Sequence, residues 1–556
     1  MITRSWFGSV CGYVLIAGAL LSSGAVRARA AEVTARKFQG LGAHGRKIST
    51  QSPEAQSFFD QGLAFLYGFN HDEAIRSFRQ AAALDPQSVM PHWAIALANG
   101  PHINNAIVDE AHAKAAWKAL TTARELAGRA TPVERELIEA LGKRYADPQP
   151  DDRKPLDKAY ADAMRDVWKN HPDDADIGAL FAEAMMDLRP WDLWTNDGKP
   201  QPGTEEVLKT LEAVIALAPK HPLALHLYIH AVEASLHPEK AAAAADTLRD
   251  LQPGLGHMVH MPSHIDVRLG HWRQAIAANE KAIKTDAAYR TAVPEQDFYR
   301  GYMAHNHHML AFASMMLGQE RRSTEAIHEM LAEIPEDWAK KNAPQVNGFW
   351  AMPYEMHLRF GRWDAMLAEP RPAEYMPVAR TFRLYARGVA FAAKQQVEEA
   401  KREQQKFLAD KGALPKEALF VFNPAADVLG IAENVLAGEI LYREGKVEES
   451  IAALREAVRR EDALRYIEPP DWIQPVRHVL GATLMDAERF AEAAAVYRED
   501  LKRHPENGWS LYGLARSLRQ TGQTDEAAAV EARFEKSWQH ADVKLSSSCY
   551  CLPGKK

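Results

Sequence analysis

A 34-residue interval constrains this 556-residue chain more than any other feature. It separates Pro219 from Pro253, and it separates two similar units that begin near Gln474 and Gly508. A period of this size marks a small supersecondary unit that cannot bury its apolar face alone, so neighbouring units must stack. The clearest unit follows Ser52-Pro53, with Phe58, Gly62, Phe65, Ala74, Phe78, Ala81 and Pro86 spaced as the small and large contacts of two paired helices. Small residues at 62 and 74 let the helices approach closely, and Pro86 ends the unit because proline cannot continue a helix. Partial copies appear as Gly270/Ala275/Ala282, Gly388/Phe391/Ala400, Gly438/Gly445, Gly481/Ala493/Tyr497/Pro505 and Gly522/Ala527/Phe534. Alternating β-branched runs are scarce, and proline and glycine punctuate Ala- and Leu-rich helical stretches.

On these residues the chain resembles the tetratricopeptide repeat family. The resemblance implies an all-α fold, an α-solenoid of about nine to ten antiparallel helix-pair repeats. It also implies a concave groove that binds a protein or peptide partner. A composition of 47% hydrophobic residues would suit a globular helical bundle equally well, and the regular interval favours stacking. The expected organisation is an export signal over 1–30, an extension over 31–52, N-terminal repeats over 53–218, His-rich central repeats over 219–335, C-terminal repeats over 336–538, and a tail over 539–556. Pro-rich insertions near 142–158, 189–203, 369–377 and Pro469-Pro470 are expected in loops on one face of the solenoid.

The first 30 residues follow the export pattern: Arg4, an apolar run from Val10 to Leu21, and Ala28-Arg29-Ala30 before a cut. A membrane anchor is the rival reading, although the run is short for a span. Cys11 lies too early for a lipoprotein acceptor, and no twin-arginine pair is present. The expected location is periplasmic or secreted, with no stable membrane span after cleavage. The net charge of −7 makes nucleic acid an unexpected partner. Cleavage would leave only Cys549 and Cys551, so stability must come from packing rather than from a disulfide framework.

Histidine is concentrated. Eleven of the 22 histidines lie between 221 and 308. With first helices starting at Pro222, at Gly256 and near Ala304, His226, His230, His257, His260, His264, His305 and His308 occupy positions that line the groove in the family. Spacings of three and four also place side chains on one helical face. Neutral imidazole is the commonest metal ligand, and three or four nitrogens converging from different helices make a transition-metal site for copper, zinc or iron. Glu233, Asp266 and Glu295 are candidates to orient the rings, and Met258, Met261, Met303 and Met309 interleave as soft donors. A polar ligand groove without metal is the competing reading. Pro262 either bends the His-bearing helix or starts it, in which case His257 and His260 come from the preceding loop. His307 is expected to face the neighbouring helix.

Cys549 and Cys551 are poorly placed to close on each other, and as thiolates they could chelate a soft metal if the tail folded into the groove. The Trp191/Trp194 and Glu468–Trp472 insertions are expected to pack rather than to cover a groove. His478 lies at a groove position too distant to join the cluster. The pair His226/His230 lacks the glutamate of the metalloprotease helix, and no phosphate loop, dinucleotide fingerprint or nucleophile elbow appears, so no nucleotide cofactor is expected. Two functions follow as expectations: a partner-binding exported solenoid with a metal-binding central section, or a metalloenzyme built on the same scaffold.

Overall fold

A computed structural model describes residues 35–552. The export pattern of residues 1–30 and Cys11 lie outside them. The described chain is a succession of helix pairs, and its only β features are isolated bridges such as His102 with Asn105. Local chemistry sets the helix starts. Pro53 opens the first helix, Pro53–Tyr67, and the Ser52 hydroxyl accepts the Ala55 N–H at 3.1 Å. Its partner, His71–Leu84, is capped by the Asn70 side chain. A Cβ at Gly62 would overlap the Phe78 ring, and one at Gly481 would overlap Tyr497. The small-against-large spacing of the sequence therefore corresponds to close helix packing.

The solenoid coils until distant repeats meet. The Trp272 indole N–H donates to the Pro505 carbonyl at 2.8 Å, and that of Trp509 donates to Met315 at 2.8 Å. The 189–196 insertion reaches the 462–465 loop, where Asn196 donates to the Leu464 carbonyl at 3.2 Å and Arg465 donates to the carbonyls of Pro190 and Trp191. The extension before residue 52 is pinned back onto the repeats, with the Gly254 N–H on the Gly40 carbonyl at 2.8 Å and Arg46 on Asp174 at 2.7 Å. Two apolar cores result, one running from Ile48 to Met303 and the other from Val267 to Leu552. The His-rich repeats span the seam between them.

The helices Pro222–Glu233 and Gly256–His260 begin where the 34-residue grid puts them. The third His-bearing helix does not. It runs Tyr299–Met316, five residues earlier than the Ala304 start, because Tyr299 and Tyr302 bury against the first core and extend the helix backwards. Pro262 marks a break within one helical stretch: a second segment starts at Pro262, and His257 and His260 come from the helical segment before it and not from a loop. Gly256–His260 and Pro262–Arg268 join through Met261, whose φ of −50° and ψ of −39° are helical, and past the proline the His264 N–H donates to the Met261 carbonyl at 3.2 Å instead of one turn back. Met258, Met261, Met303 and Met309 are buried among the cores and act as packing side chains. No described helix is long and apolar enough to cross a membrane.

Candidate metal centre

Six of the seven predicted histidines form two adjacent groups of three. His226, His230 and His257 each offer a ring nitrogen, and these three atoms lie within 4.8 Å of one another; so do those offered by His260, His264 and His305. All are buried except His305, which is half-buried. The Pro222–Glu233 helix supplies two of these histidines one turn apart. The helical stretch broken at Pro262 supplies His257 to the first group and His260 and His264 to the second, and Tyr299–Met316 supplies His305. Keeping the backbone helical through Met261 leaves His260 and His264 on successive turns with their Nε2 atoms 2.8 Å apart.

The other ring nitrogens decide the tautomers. His226 Nδ1 donates to the Tyr67 carbonyl at 2.8 Å, leaving Nε2 as the lone-pair nitrogen, buried and without a partner. His230 Nδ1 donates to Glu233 Oε1 at 2.7 Å, and its Nε2 is likewise buried and unpartnered. Neither nitrogen of His257 has a partner. In the second group His264 Nδ1 donates to Glu233 Oε2 at 2.6 Å, and His260 Nδ1 donates to Asn279 Oδ1 at 2.6 Å. Glu233 thus orients one ring in each group. An outer carboxylate or carbonyl holding Nδ1–H while Nε2 stays free is the arrangement that raises the basicity of a metal-ligating imidazole.

Electrostatics favours lone pairs over protons. Burial, reinforced by the neighbouring histidines, holds His226, His257, His260 and His305 well below the ordinary imidazole range. Burial alone would raise the Glu233 carboxyl, but the charge of His264 and the hydrogen bonds from His230 and His264 bring it down to about 2. The site therefore sets an ionised carboxylate close to His226, His257, His260 and His305, whose rings are held towards the neutral form that metal binding requires.

Aromatic side chains enclose the first group. The Phe69 ring lies 4.4 Å from that of His226, Tyr302 lies 4.4 Å from His257, and Trp191 meets His230 edge-on at 5.2 Å. Trp191 is fixed by its N–H on Asn104 Oδ1 at 2.9 Å, so this insertion packs, as expected, and does so against a ring of the site. Trp472 does pack, against Phe382 and Tyr385. A cleft walled by Met186, Trp191, Trp194 and Tyr466 leads to His230 and Glu233.

Several expectations are corrected. His308 belongs to neither group: it lies one turn past His305 but points to Phe349, with ring centroids 6.0 Å apart, and burial lowers it to about 3. Cys549 and Cys551 close on each other as a disulfide beside Glu439, so neither is a thiolate. Their tail is held elsewhere, by the Ser548 hydroxyl, which donates to the His478 carbonyl at 2.8 Å and accepts from the Tyr497 hydroxyl at 2.7 Å, and does not enter the histidine groups. Asp266 pairs with Arg249 at 3.0 Å, and Glu295 is exposed, which leaves Glu233 as the orienting acid. His307 faces Glu329 and Glu333 of the next helix, and His478 pairs separately with Asp500 at 2.9 Å. The outer partners Tyr67 and Asn279 and the enclosing Phe69 carry no motif in the sequence.

A third cluster, His44, Asp176 and His221, fails the test of fit. His221 Nδ1 accepts the Ala224 N–H at 3.2 Å, so its Nε2–H donates to Asp176 at 3.0 Å. Tyr67, His44 and Arg46 donate to the same carboxylate at 2.6, 3.0 and 3.3 Å. This saturated network fastens the N-terminal extension.

Residues 56–88 and 484–532 match tetratricopeptide repeat profiles. The chain carries tetratricopeptide repeats in both segments, within an all-α solenoid. No match is found among curated proteins. Among solved structures it is similar to the human IFIT1 dimer with m7Gppp-AAAA (13% identity, 88% of this chain and 91% of that one, TM-score 0.34). It is also similar to the APC/C hetero-tetramer Cut9-Hcn1 (12% identity, 85% and 78%, TM-score 0.33) and to yeast Tom70 (12% identity, 87% and 93%, TM-score 0.29). Overall likeness at this level carries no functional argument. The tetratricopeptide scaffold itself suggests a protein or peptide partner.

Proposed function

We propose that this tetratricopeptide-repeat protein holds a transition-metal ion, copper, zinc or iron, in its central repeats and engages a protein or peptide partner on the concave face of the repeats around them. One observation carries the metal reading: His226, His230 and His257 each bring a ring nitrogen within 4.8 Å of the others, while His226 Nε2, His230 Nε2 and both nitrogens of His257 are buried and unpartnered, and two of the rings are anchored at Nδ1. Three neutral imidazoles from two helices form the ligand set that these metals take, and a bound ion would satisfy nitrogens that are otherwise costly to bury. Because the imidazoles are buried, a partner meets the flanking repeats and not the rings. The reading includes export, which rests on the pattern of residues 1–30.

Elemental analysis of tag-free protein tests it, beside a His226→Ala/His257→Ala variant. Stoichiometric metal in the wild type, with loss of an ion from the folded variant, is the expected result. No metal after reconstitution with copper, zinc and iron would overturn the metal reading. Sequencing of the exported protein should begin at Ala31, and an intact N-terminus would overturn export.

A further inference from the structure

The second histidine group contains a conflict that the protein alone does not resolve. The Asn279 side-chain nitrogen donates to the Ala275 carbonyl at 2.8 Å, so the Oδ1 facing His260 is an acceptor and His260 Nδ1 must carry the proton. The Glu233 carboxylate imposes the same state on His264 Nδ1. With both rings neutral, each presents a bare Nε2 lone pair to the other at 2.8 Å, in a site where both residues are at most 1% exposed. Two lone pairs at that distance repel unless positive charge lies between or beside them. A shared proton or a cation can supply that charge. His305 completes the second case, with its ring 4.7 Å from His260 and 5.7 Å from His264.

The two groups are neighbours. His230 and His264 have ring centroids 5.5 Å apart, His257 and His260 5.8 Å apart, and the two oxygens of Glu233 are divided between His230 and His264. With both oxygens occupied by N–H groups, Glu233 serves as an outer partner shared by the two groups. We infer that the central repeats build a paired transition-metal centre, with one ion on His226, His230 and His257, a second on His260, His264 and His305, and Glu233 orienting a ligand of each. All-imidazole sets suit copper or zinc, and three protein ligands leave each ion a coordination position for a small exogenous ligand. The cleft beside Trp191 and Tyr466 reaches His230 and Glu233 and provides the entry path.

The inference rests on the metal reading above, and its test separates the two. The full tag-free chain, stripped with a chelator, is titrated with zinc(II) and with copper(II), and bound metal is counted after desalting. Two equivalents per chain are expected, falling to one in His226→Ala/His257→Ala and to one in His260→Ala/His264→Ala. His305→Gln, which changes only a half-buried ligand, should weaken the second equivalent at least tenfold while the far-UV circular dichroism stays unchanged. Copper(II)-loaded protein should give an electron paramagnetic resonance signal integrating to fewer than two spins, because adjacent ions couple. One equivalent in the wild type, retained by His260→Ala/His264→Ala, would overturn the pair, leave the single-ion reading standing and assign the 2.8 Å contact to a shared proton. Two equivalents with two uncoupled spins would place the second ion elsewhere and also overturn the pair. No bound metal would overturn both readings.

Discussion

Replacing Glu233 by glutamine removes one charge and one acceptor while keeping the volume of a side chain that is 0% exposed. The carboxylate takes His230 Nδ1–H at 2.7 Å and His264 Nδ1–H at 2.6 Å. A glutamine offers a single oxygen, so one ring must face an NH2 group that is itself a donor. That ring can relieve the clash of donors only by moving its proton to Nε2, which takes away the lone pair that the proposed metal would use. The other ring keeps a hydrogen bond, but a neutral one worth about 1 kcal/mol instead of a charge-assisted one worth about 1.5–3 kcal/mol. The expected loss in metal affinity is about 10–100-fold, or roughly 1.4–2.7 kcal/mol. Competition against a chelator of known affinity at pH 7.5 measures it. Glu73→Gln is the control: Glu73 is also buried and accepts from Tyr289 at 3.0 Å, but it holds no imidazole. A Glu233→Gln affinity within threefold of the wild type, or an equal loss in Glu73→Gln, would refute the claim that this carboxylate orients the rings.

Trp191→Ala should speed chelator-driven metal release by roughly tenfold with little change in melting temperature, since the indole packs on His230 from an insertion and is only half-buried; stopped-flow absorbance with a chromogenic chelator reads the rate. Gly62→Ala should destabilise the first repeat by about 1–3 kcal/mol because its Cβ would overlap Phe78, whereas Gly301→Ala, whose Cβ would meet nothing within 4 Å, should leave the thermal melt unchanged or slightly raised. Burial, reinforced by repulsion from Asp500 and Asp462, pushes the Glu461 carboxyl up to about 8. Because that value lies above the unfolded pKa of about 4.3, the native state binds the extra proton, and stability falls as pH rises from about 4.3 towards 8. Melting temperatures at pH 5 and pH 8 should differ less in Glu461→Gln than in the wild type.

The parts legible in the sequence are those set by local periodicity. Gly62 against Phe78, the starts at Pro222 and Gly256, and the one-turn pair His226/His230 all follow from spacing within a helix or between two adjacent ones. The direction of a ring beyond its own helix is not local. His305 and His308 share a helix and a spacing of three, yet one turns to His260 and the other to Phe349, because a rotation of about 60° about the axis crosses the boundary between the two cores. The backward extension to Tyr299 depends on aromatic burial against repeats far earlier in the chain. Asn279 and the Tyr67 carbonyl fix tautomers from elements 19 and 159 residues away from the rings they hold. The Trp191 contact likewise exists only because the superhelix closes and brings the 189–196 loop to the 462–465 loop.

The seam between the two apolar cores is an expensive place for imidazoles. A buried donor or acceptor left unsatisfied costs about 1–3 kcal/mol, and the first group alone leaves His226 Nε2, His230 Nε2 and both nitrogens of His257 without partners. Apolar side chains of similar volume would pack there at lower cost, as Met258 and Met261 do on the same helical stretch. The unpartnered nitrogens are also not randomly placed. Where a ring has an anchor, as in His226, His230, His260 and His264, it lies at Nδ1, and the nitrogen left bare is Nε2. Packing alone gives no reason for four rings to be anchored alike at Nδ1 and for one carboxylate to be divided between two groups. A cation at each centre accounts for the tautomers, for the division of Glu233 and for the 2.8 Å approach of His260 to His264 together. The paired-centre titration therefore tests a single physical cause for three otherwise independent features.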